Sequence, residues 1–182
     1  MKREEKKQIM IDAAVHLFSK KSFSDVSIRD IAKKAEVSPA LIYKYFNDQQ
    51  HLYAEAMKIE AQKLLDRLSP LEQLDELVEQ YILHMFNEDV LYQMMAYFML
   101  EGAGKRPFTP PYKEVSKLIK HFEYKLQPFY PLDARKEAQL IFSTLNGLLI
   151  SYKNYPTLTN EEALDHILTL SARYLSHLQT NT

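Results

Sequence analysis

Ser27-Ile28-Arg29-Asp30-Ile31-Ala32-Lys33-Lys34-Ala35-Glu36-Val37-Ser38-Pro39-Ala40-Leu41-Ile42-Tyr43-Lys44-Tyr45-Phe46 decides the fold of this chain. Apolar residues fall at Ile28, Ile31, Ala32 and Ala35, then at Val37, Leu41, Ile42 and Phe46. That spacing predicts two short helices, over about 27–34 and 39–46, each with one buried stripe, meeting across a tight corner. Ser38 is a natural N-cap, and Pro39 fits the first helical position, where no amide proton is needed. Helices joined this way form a helix-turn-helix, whose second helix can offer its outer face to a DNA major groove.

At these residues the chain resembles the TetR family of transcriptional regulators. The resemblance rests on Ser27, Ile31-Ala32, Ala35-Glu36-Val37-Ser38, Tyr43, Phe46 and Leu52, and spans about 9–53. Two positions depart from the family pattern. Glu36 replaces the usual turn glycine, so the corner must hold a side chain where a positive φ is favoured. Gln49 stands where Lys is common, which removes an expected phosphate contact near the start of helix 4. The resemblance implies an all-α fold of about nine helices. A helix-turn-helix DNA-binding head, 1–47, would be joined by a long helix 4 to a helical ligand-binding and dimerisation body, 48–182.

Composition and charge agree with that class. A chain of 182 residues with 46% hydrophobic content buries a substantial core. Having no cysteine, it has neither a disulfide framework nor a thiolate zinc site. The start Met1-Lys2-Arg3-Glu4-Glu5-Lys6-Lys7 lacks the apolar run of a signal peptide, and no stretch approaches the roughly 20 apolar residues of a membrane span. A cytoplasmic protein without membrane partners is expected. Residues 1–50 carry 10 Lys+Arg against 7 Asp+Glu, net +3, and the remainder 13 against 17, net −4. A basic head on an acidic body suits docking on DNA by one end.

Along the chain, helix 1 is expected over about 4–20, with Ile9, Ala13, Leu17 and Phe18 inward. Asn47 followed by Gln50 reads as a capping box opening a helix that runs to about 68, where Ser69-Pro70 ends it. Further helices are expected at about 71–87, 89–101, 111–126, 133–154 and 160–179, punctuated by Gly102 to Pro111, Pro128 to Pro131 and Pro156 to Thr159.

In the head, Ile31, Ala32, Val37, Ile42, Phe46 and Leu52 read as core. The outer face leaves the DNA candidates. By resemblance, Pro39, Ala40 and Lys44 face the groove: Lys44 suits guanine O6 or N7, and the small pair suits thymine methyls. Ser38 opens the same helix. Tyr43 and Tyr45 occupy positions that in the family contact phosphates, fixing register rather than reading bases. Ser27 and Arg29 open helix 2, whose first amides suit a phosphate, and Arg29 can reach a base edge. Lys2, Arg3, Lys6 and Lys7 form either a minor-groove arm or a solvated tail.

In the body, Leu145-Asn146-Gly147-Leu148-Leu149 resembles a Gly-Leu segment of the family's dimerisation helix. Ala138, Leu145, Leu149 and Tyr152 on one helix, with Leu168, Ala172 and Leu175 on the next, are the dimer candidates. Packed against symmetry mates they would make a four-helix bundle; alternatively both stripes face their own core. Tyr81, Met85, Met95, Phe98, Met99, Phe108, Tyr112, Phe122 and Phe142 fall in the region that, in the family, surrounds an inducer cavity. Thioethers and rings suit a hydrophobic or aromatic ligand, and equally an ordinary core.

The resemblance therefore implies a ligand-responsive repressor. It would bind a palindromic double-stranded operator as a homodimer and be released by a small-molecule inducer that shifts helix 4 and the spacing of the heads. The rival classes are a helical adaptor that keeps the fold but binds a protein partner, and an enzyme. No catalytic signature is present, so neither catalysis nor a cofactor is expected. Asp12/His16, His51/Glu55, His84/Glu88 and Glu162/His166 lie four apart, but two ligands on one helical turn do not close a metal site, and no metal is expected.

Overall fold

The computed structural model describes residues 3–100 and 112–180, with side chains described for 3–96 and 113–178. Among the described residues the regular structure is all helical: α1 (Arg3–Phe18), α2 (Ile28–Lys34), α3 (Pro39–Tyr43), α4 (Gln49–Leu68), α5 (Leu74–Asn87), α6 (Asp89–Leu100), α7 (Tyr112–Leu126), α8 (Ala134–Tyr152) and α9 (Asn160–Thr180), with a 3-10 turn at Phe23–Asp25. Two compact units result: Met1–Gln62 with Asp89–Tyr112, and Lys63–Glu88 with Lys113–Thr182. The packing units therefore follow different borders from a division by role at 47/48, since α6 packs with the N-terminal helices and α4 contributes to both units.

The N-terminal unit is built on the apolar stripes of α1 to α4. Met10, Ala14, Phe18, Ile31, Ala32, Ile42, Phe46, Leu52 and Tyr53 are buried together, with Val90 and Met94 of α6 added to the same core. Val37 and Leu41 pack against it partly exposed. Tyr53 sits edge-on to Phe18 (5.0 Å) and Phe23 (4.9 Å), and its hydroxyl donates to the Met94 carbonyl at 3.0 Å. Helix 1 ends at Phe18 rather than near Lys20, and Ile9 faces solvent. Ala13 and Phe18 are buried as expected, together with Met10, Ile11 and Ala14, and Leu17 packs against the core partly exposed.

The start of α4 also differs by one residue. Asp48, not Asn47, is the cap: its carboxylate accepts from the His51 backbone N–H at 2.7 Å. The reciprocal side chain is His51 rather than Gln50, with Nδ1 accepting from the Asn47 N–H at 3.1 Å.

In the C-terminal unit, Tyr81, Phe122 and Phe142 pack ring against ring (5.7 and 6.1 Å) between α5, α7 and α8. Burial pushes the Tyr81 hydroxyl well above its ordinary pKa. It donates to Asn146 Oδ1 at 2.9 Å, and the Asn146 amide donates to the Phe142 carbonyl at 2.7 Å. A buried asparagine is thus satisfied on both sides, as burial requires. Thr159 opens α9 in a capping box: its N–H and hydroxyl donate to the Glu162 carboxylate, and its oxygen accepts from the Glu162 N–H.

Candidate nucleic-acid interface

Local chemistry accounts for each turn of the helix-turn-helix. Ser27 caps α2: its Oγ accepts from the Asp30 N–H at 3.2 Å, while the Asp30 carboxylate accepts from the Ser27 N–H at 2.9 Å. The Ser27 side-chain and backbone hydrogen bonds hold the Asp30 carboxyl below its ordinary pKa. Asp30 therefore stays anionic near neutrality and takes part of the N-terminal site expected for a phosphate. The amides of Ile28 and Arg29 remain, as the first two of the helix.

At the corner, Ala35 closes α2 and Glu36 takes φ 54°. The Val37 N–H reaches the Ala32 carbonyl at 2.9 Å and the Glu36 N–H the Lys33 carbonyl at 3.3 Å. This is the Schellman arrangement, with a glutamate where glycine usually sits. An L-residue in the left-handed region carries about 1–2 kcal/mol of strain, partly offset by the smaller unfolded-state freedom of a residue with a Cβ. Glu36→Gly is therefore expected to stabilise the chain by about 0.5–1 kcal/mol. Denaturant unfolding midpoints, with unchanged slope, check this.

Ser38 then caps α3, its Oγ accepting from the Leu41 N–H at 3.2 Å, and Pro39 fills the first turn. Regular α-helix ends at Tyr43 instead of Phe46, although the Phe46 N–H still reaches the Ile42 carbonyl at 2.9 Å. Ile42 and Phe46 point into the core. Opposite them, Ser38, Pro39, Ala40, Tyr43 and Lys44 are all exposed, as are Ser27 and Arg29 on α2. Tyr43 is 57% exposed, high for an aromatic ring. Lys44 and Arg29 make no ion pair among the described residues. Tyr45 is half-buried, with the Arg3 guanidinium 5.9 Å above its ring.

The basic N-terminus is not a free arm from Arg3 onward. Arg3, Lys6 and Lys7 belong to α1, and Lys7 Nζ is 2.7 Å from the Glu55 carboxylate; Lys2 lies outside the described residues. Gln49 has a role the sequence did not disclose. Its side-chain amide donates to the Phe23 carbonyl at 3.1 Å and also to the Val26 carbonyl, fastening the start of α4 to the turn that precedes α2.

The expected ligand and dimer residues are placed differently. Tyr81, Met85, Phe122 and Phe142 are core of the C-terminal unit, whereas Met95 is buried in the N-terminal unit. Side chains of Phe98, Met99, Phe108 and Tyr112 lie outside the described residues. Two clefts open on the C-terminal unit, and Tyr81, Met85, Phe122 and Phe142 line neither. One, of ≈ 370 Å³, lies between Asp75, Val78 and Glu79 of α5 and Leu168, Ser171, Ala172, Leu175 and Ser176 of α9. The other, of ≈ 550 Å³, lies between Glu72–Asp75 and Tyr124–Phe129. The aromatic residues instead fill one another's space, which is how a close-packed interior uses them.

Ala138, Leu145, Leu149 and Leu175 are buried within the single chain, so their side chains belong to its own core. Tyr152 packs on His166 (4.6 Å) and Tyr155 (5.9 Å), and Leu168 and Ala172 line the cleft against α5. The exposed residues of α8 are Lys136, Gln139, Leu140, Ser143, Gly147 and Ser151.

Three of the four carboxylates considered for metal pairing have other partners. Asp12 accepts from Gln8, Glu55 from Lys7 and Glu162 from Thr159. No group of three metal-ligating side chains occurs among the described residues. Nor, among them, is any helix long and apolar enough to cross a membrane.

A capped helix-turn-helix with a cationic, aromatic outer face defines a DNA-binding protein. The family model for bacterial regulatory proteins of the tetR family matches residues 10–56. The regulator PksA of Bacillus subtilis is 20% identical over 178 residues, covering 91% of this chain and 87% of that protein. The regulator AcrR of Shigella flexneri is 23% identical, covering 94% and 90%. A regulator from Aquifex aeolicus VF5 shares the fold, with a TM-score of 0.70 at 18% identity over 95% of this chain and 99% of that one. Residues 10–56 thus carry a DNA-binding domain of the TetR family, and the similar proteins are transcriptional regulators rather than enzymes.

Proposed function

We propose that this chain is a ligand-responsive repressor that binds a palindromic operator as a homodimer. The observation that carries the reading is the outer face of the α3 segment, where Pro39, Ala40, Tyr43 and Lys44 are exposed around a helix anchored by buried Ile42 and Phe46. An adaptor with no nucleic-acid partner has no need of an unpaired lysine and a bare tyrosine there. In this reading Lys44 reads a base edge, Pro39 and Ala40 allow close approach, and Ser38, Tyr43, Tyr45, Ser27 and Arg29 hold phosphates. The head then comprises 1–47 by role.

The dimer reading is supported by the outer face of α8. Gly147 is exposed in mid-helix, and a Cβ built there meets nothing within 4 Å. Among the described residues nothing requires a glycine at this position, where it weakens the helix by about 1 kcal/mol relative to Ala. Close approach of a second α8 supplies a reason. The inducer reading rests on the family resemblance. Between them, the two clefts of the C-terminal unit have volumes suited to small molecules.

Lys44→Ala is expected to weaken binding to a selected operator by about 1–3 kcal/mol and to relax preference at one base pair per half-site. Titration of labelled operator and its single-base variants tests this. Unchanged affinity and unchanged preference would remove Lys44 from the reading face.

A further inference from the structure

His51 occupies the third position of α4 and joins that helix to the DNA-reading segment through three contacts. Its own backbone N–H donates to Asp48 Oδ1 at 2.7 Å. Its ring lies edge-on to Phe46, with centroids 5.7 Å apart at 75°. Its Nδ1 lies 3.1 Å from the backbone nitrogen of Asn47. A backbone N–H only donates, so Nδ1 must be the acceptor and the ring must be neutral with its proton on Nε2. Asn47 and Asp48 are the two residues between Phe46 and the first residue of α4. A change at this turn therefore alters how the α3 segment is held against α4.

We infer that His51 is a positioning residue for DNA binding, and that its protonation releases the turn at Asn47 and weakens the grip on DNA. This rests on the regulator reading above. In the imidazolium both ring nitrogens are donors, so neither can accept from the Asn47 N–H whichever way the ring is turned. The charged groups on the elements packed around the ring are Asp48 and Glu55 at the start of α4, and Lys7 of α1. Lys7 Nζ lies 2.7 Å from Glu55 and 5.9 Å from the centre of the Phe46 ring.

The neighbouring carboxylates do not confuse the test. The Lys7 hydrogen bond holds Glu55, and Ser27 holds Asp30, below the ordinary carboxylate range. Stability from either is present above its unfolded pKa and lost only as pH falls through the depressed folded value. Both therefore stay ionised between pH 7.5 and 5.5, where imidazoles change charge. His16 of the same unit is pushed down by Lys34 and Lys20, further towards its neutral form.

The experiment compares the full wild-type chain with His51→Gln, whose side-chain oxygen accepts at any pH. The probe is the duplex that wild-type protein selects from a random-sequence pool at pH 7.5. Wild-type affinity is expected to fall about five- to tenfold more than that of His51→Gln on going to pH 5.5, the size of one lost backbone hydrogen bond. In ¹⁵N-labelled protein without DNA, the Asn47 amide resonance is expected to titrate with the His51 ring in the wild type and to stay still in the variant. Parallel pH dependence of the two affinities would overturn the proposal, as would an Asn47 amide indifferent to the ring. A pool that yields no preferred duplex counts against the regulator reading instead, and the amide titration then decides the role of His51.

Discussion

Tyr53→Ala is expected to destabilise the chain by about 3–5 kcal/mol, the range for truncating a buried aromatic ring, and to abolish DNA binding with it. Tyr53 is fully buried on α4, and it holds three parts of the N-terminal unit together. Its ring meets Phe18 of α1 and Phe23 of the turn before α2, and its hydroxyl reaches the Met94 carbonyl of α6. The Ala variant leaves a cavity that Phe18 and Phe23 cannot fill without leaving their own rotamers. Tyr53→Phe separates the two contributions: the ring is kept and only the hydrogen bond is lost, for about 1–3 kcal/mol. Denaturant titration followed by circular dichroism gives both values. A Tyr53→Ala loss below that of Tyr53→Phe would contradict this account of the core.

The second large effect concerns assembly. Gly147→Leu is expected to convert the proposed dimer to a monomer and to lower affinity for the selected duplex by about 100-fold or more, because linked half-site binding is lost. The chain itself has room for the side chain, since a Cβ at 147 meets nothing within 4 Å. Loss of fold is therefore not the expected outcome, and a melting curve verifies that. Gly147→Ala is the counterpart: it improves helix propensity by up to about 1 kcal/mol while adding a single methyl to the proposed interface. Mass measurement in solution reads both variants. A Gly147→Leu protein that stays dimeric would move the interface off this face of α8.

The helix-turn-helix was legible because its signals are local. Ser27 and Ser38 as caps, Pro39 in the first turn and the apolar spacing from Ile28 to Phe46 each depend on a few neighbouring residues, and the structure shows all of them. Even the departure at Glu36 was visible, as a residue with a Cβ at a corner that takes φ 54°. What lay hidden depends on partners far along the chain. Gln49 reads as a lost phosphate ligand until its amide is seen on the carbonyls of Phe23 and Val26, more than twenty residues earlier. His51 reads as half a metal pair, yet its ring nitrogen closes a turn.

The aromatic residues of the C-terminal unit show a different limit. Tyr81, Phe122 and Phe142 have the composition of a ligand lining and of a core alike, and only their mutual contacts assign them to the core. The dimer stripes meet a related limit. Helical spacing shows that Ala138, Leu145 and Leu149 share a face, but not what covers it; these three are buried within the chain, whereas Leu168 is half-buried and Ala172 exposed.

The central claim is that the exposed face around Tyr43 and Lys44 reads DNA from a two-fold dimer. Sequencing the duplexes that the wild-type protein selects from a random pool, over a salt series, tests it most directly. The account predicts an inverted repeat with half-sites spaced by whole turns of the duplex and binding that weakens steeply with salt. Weak retention of every sequence alike, with no repeat enriched at any salt concentration, would contradict it.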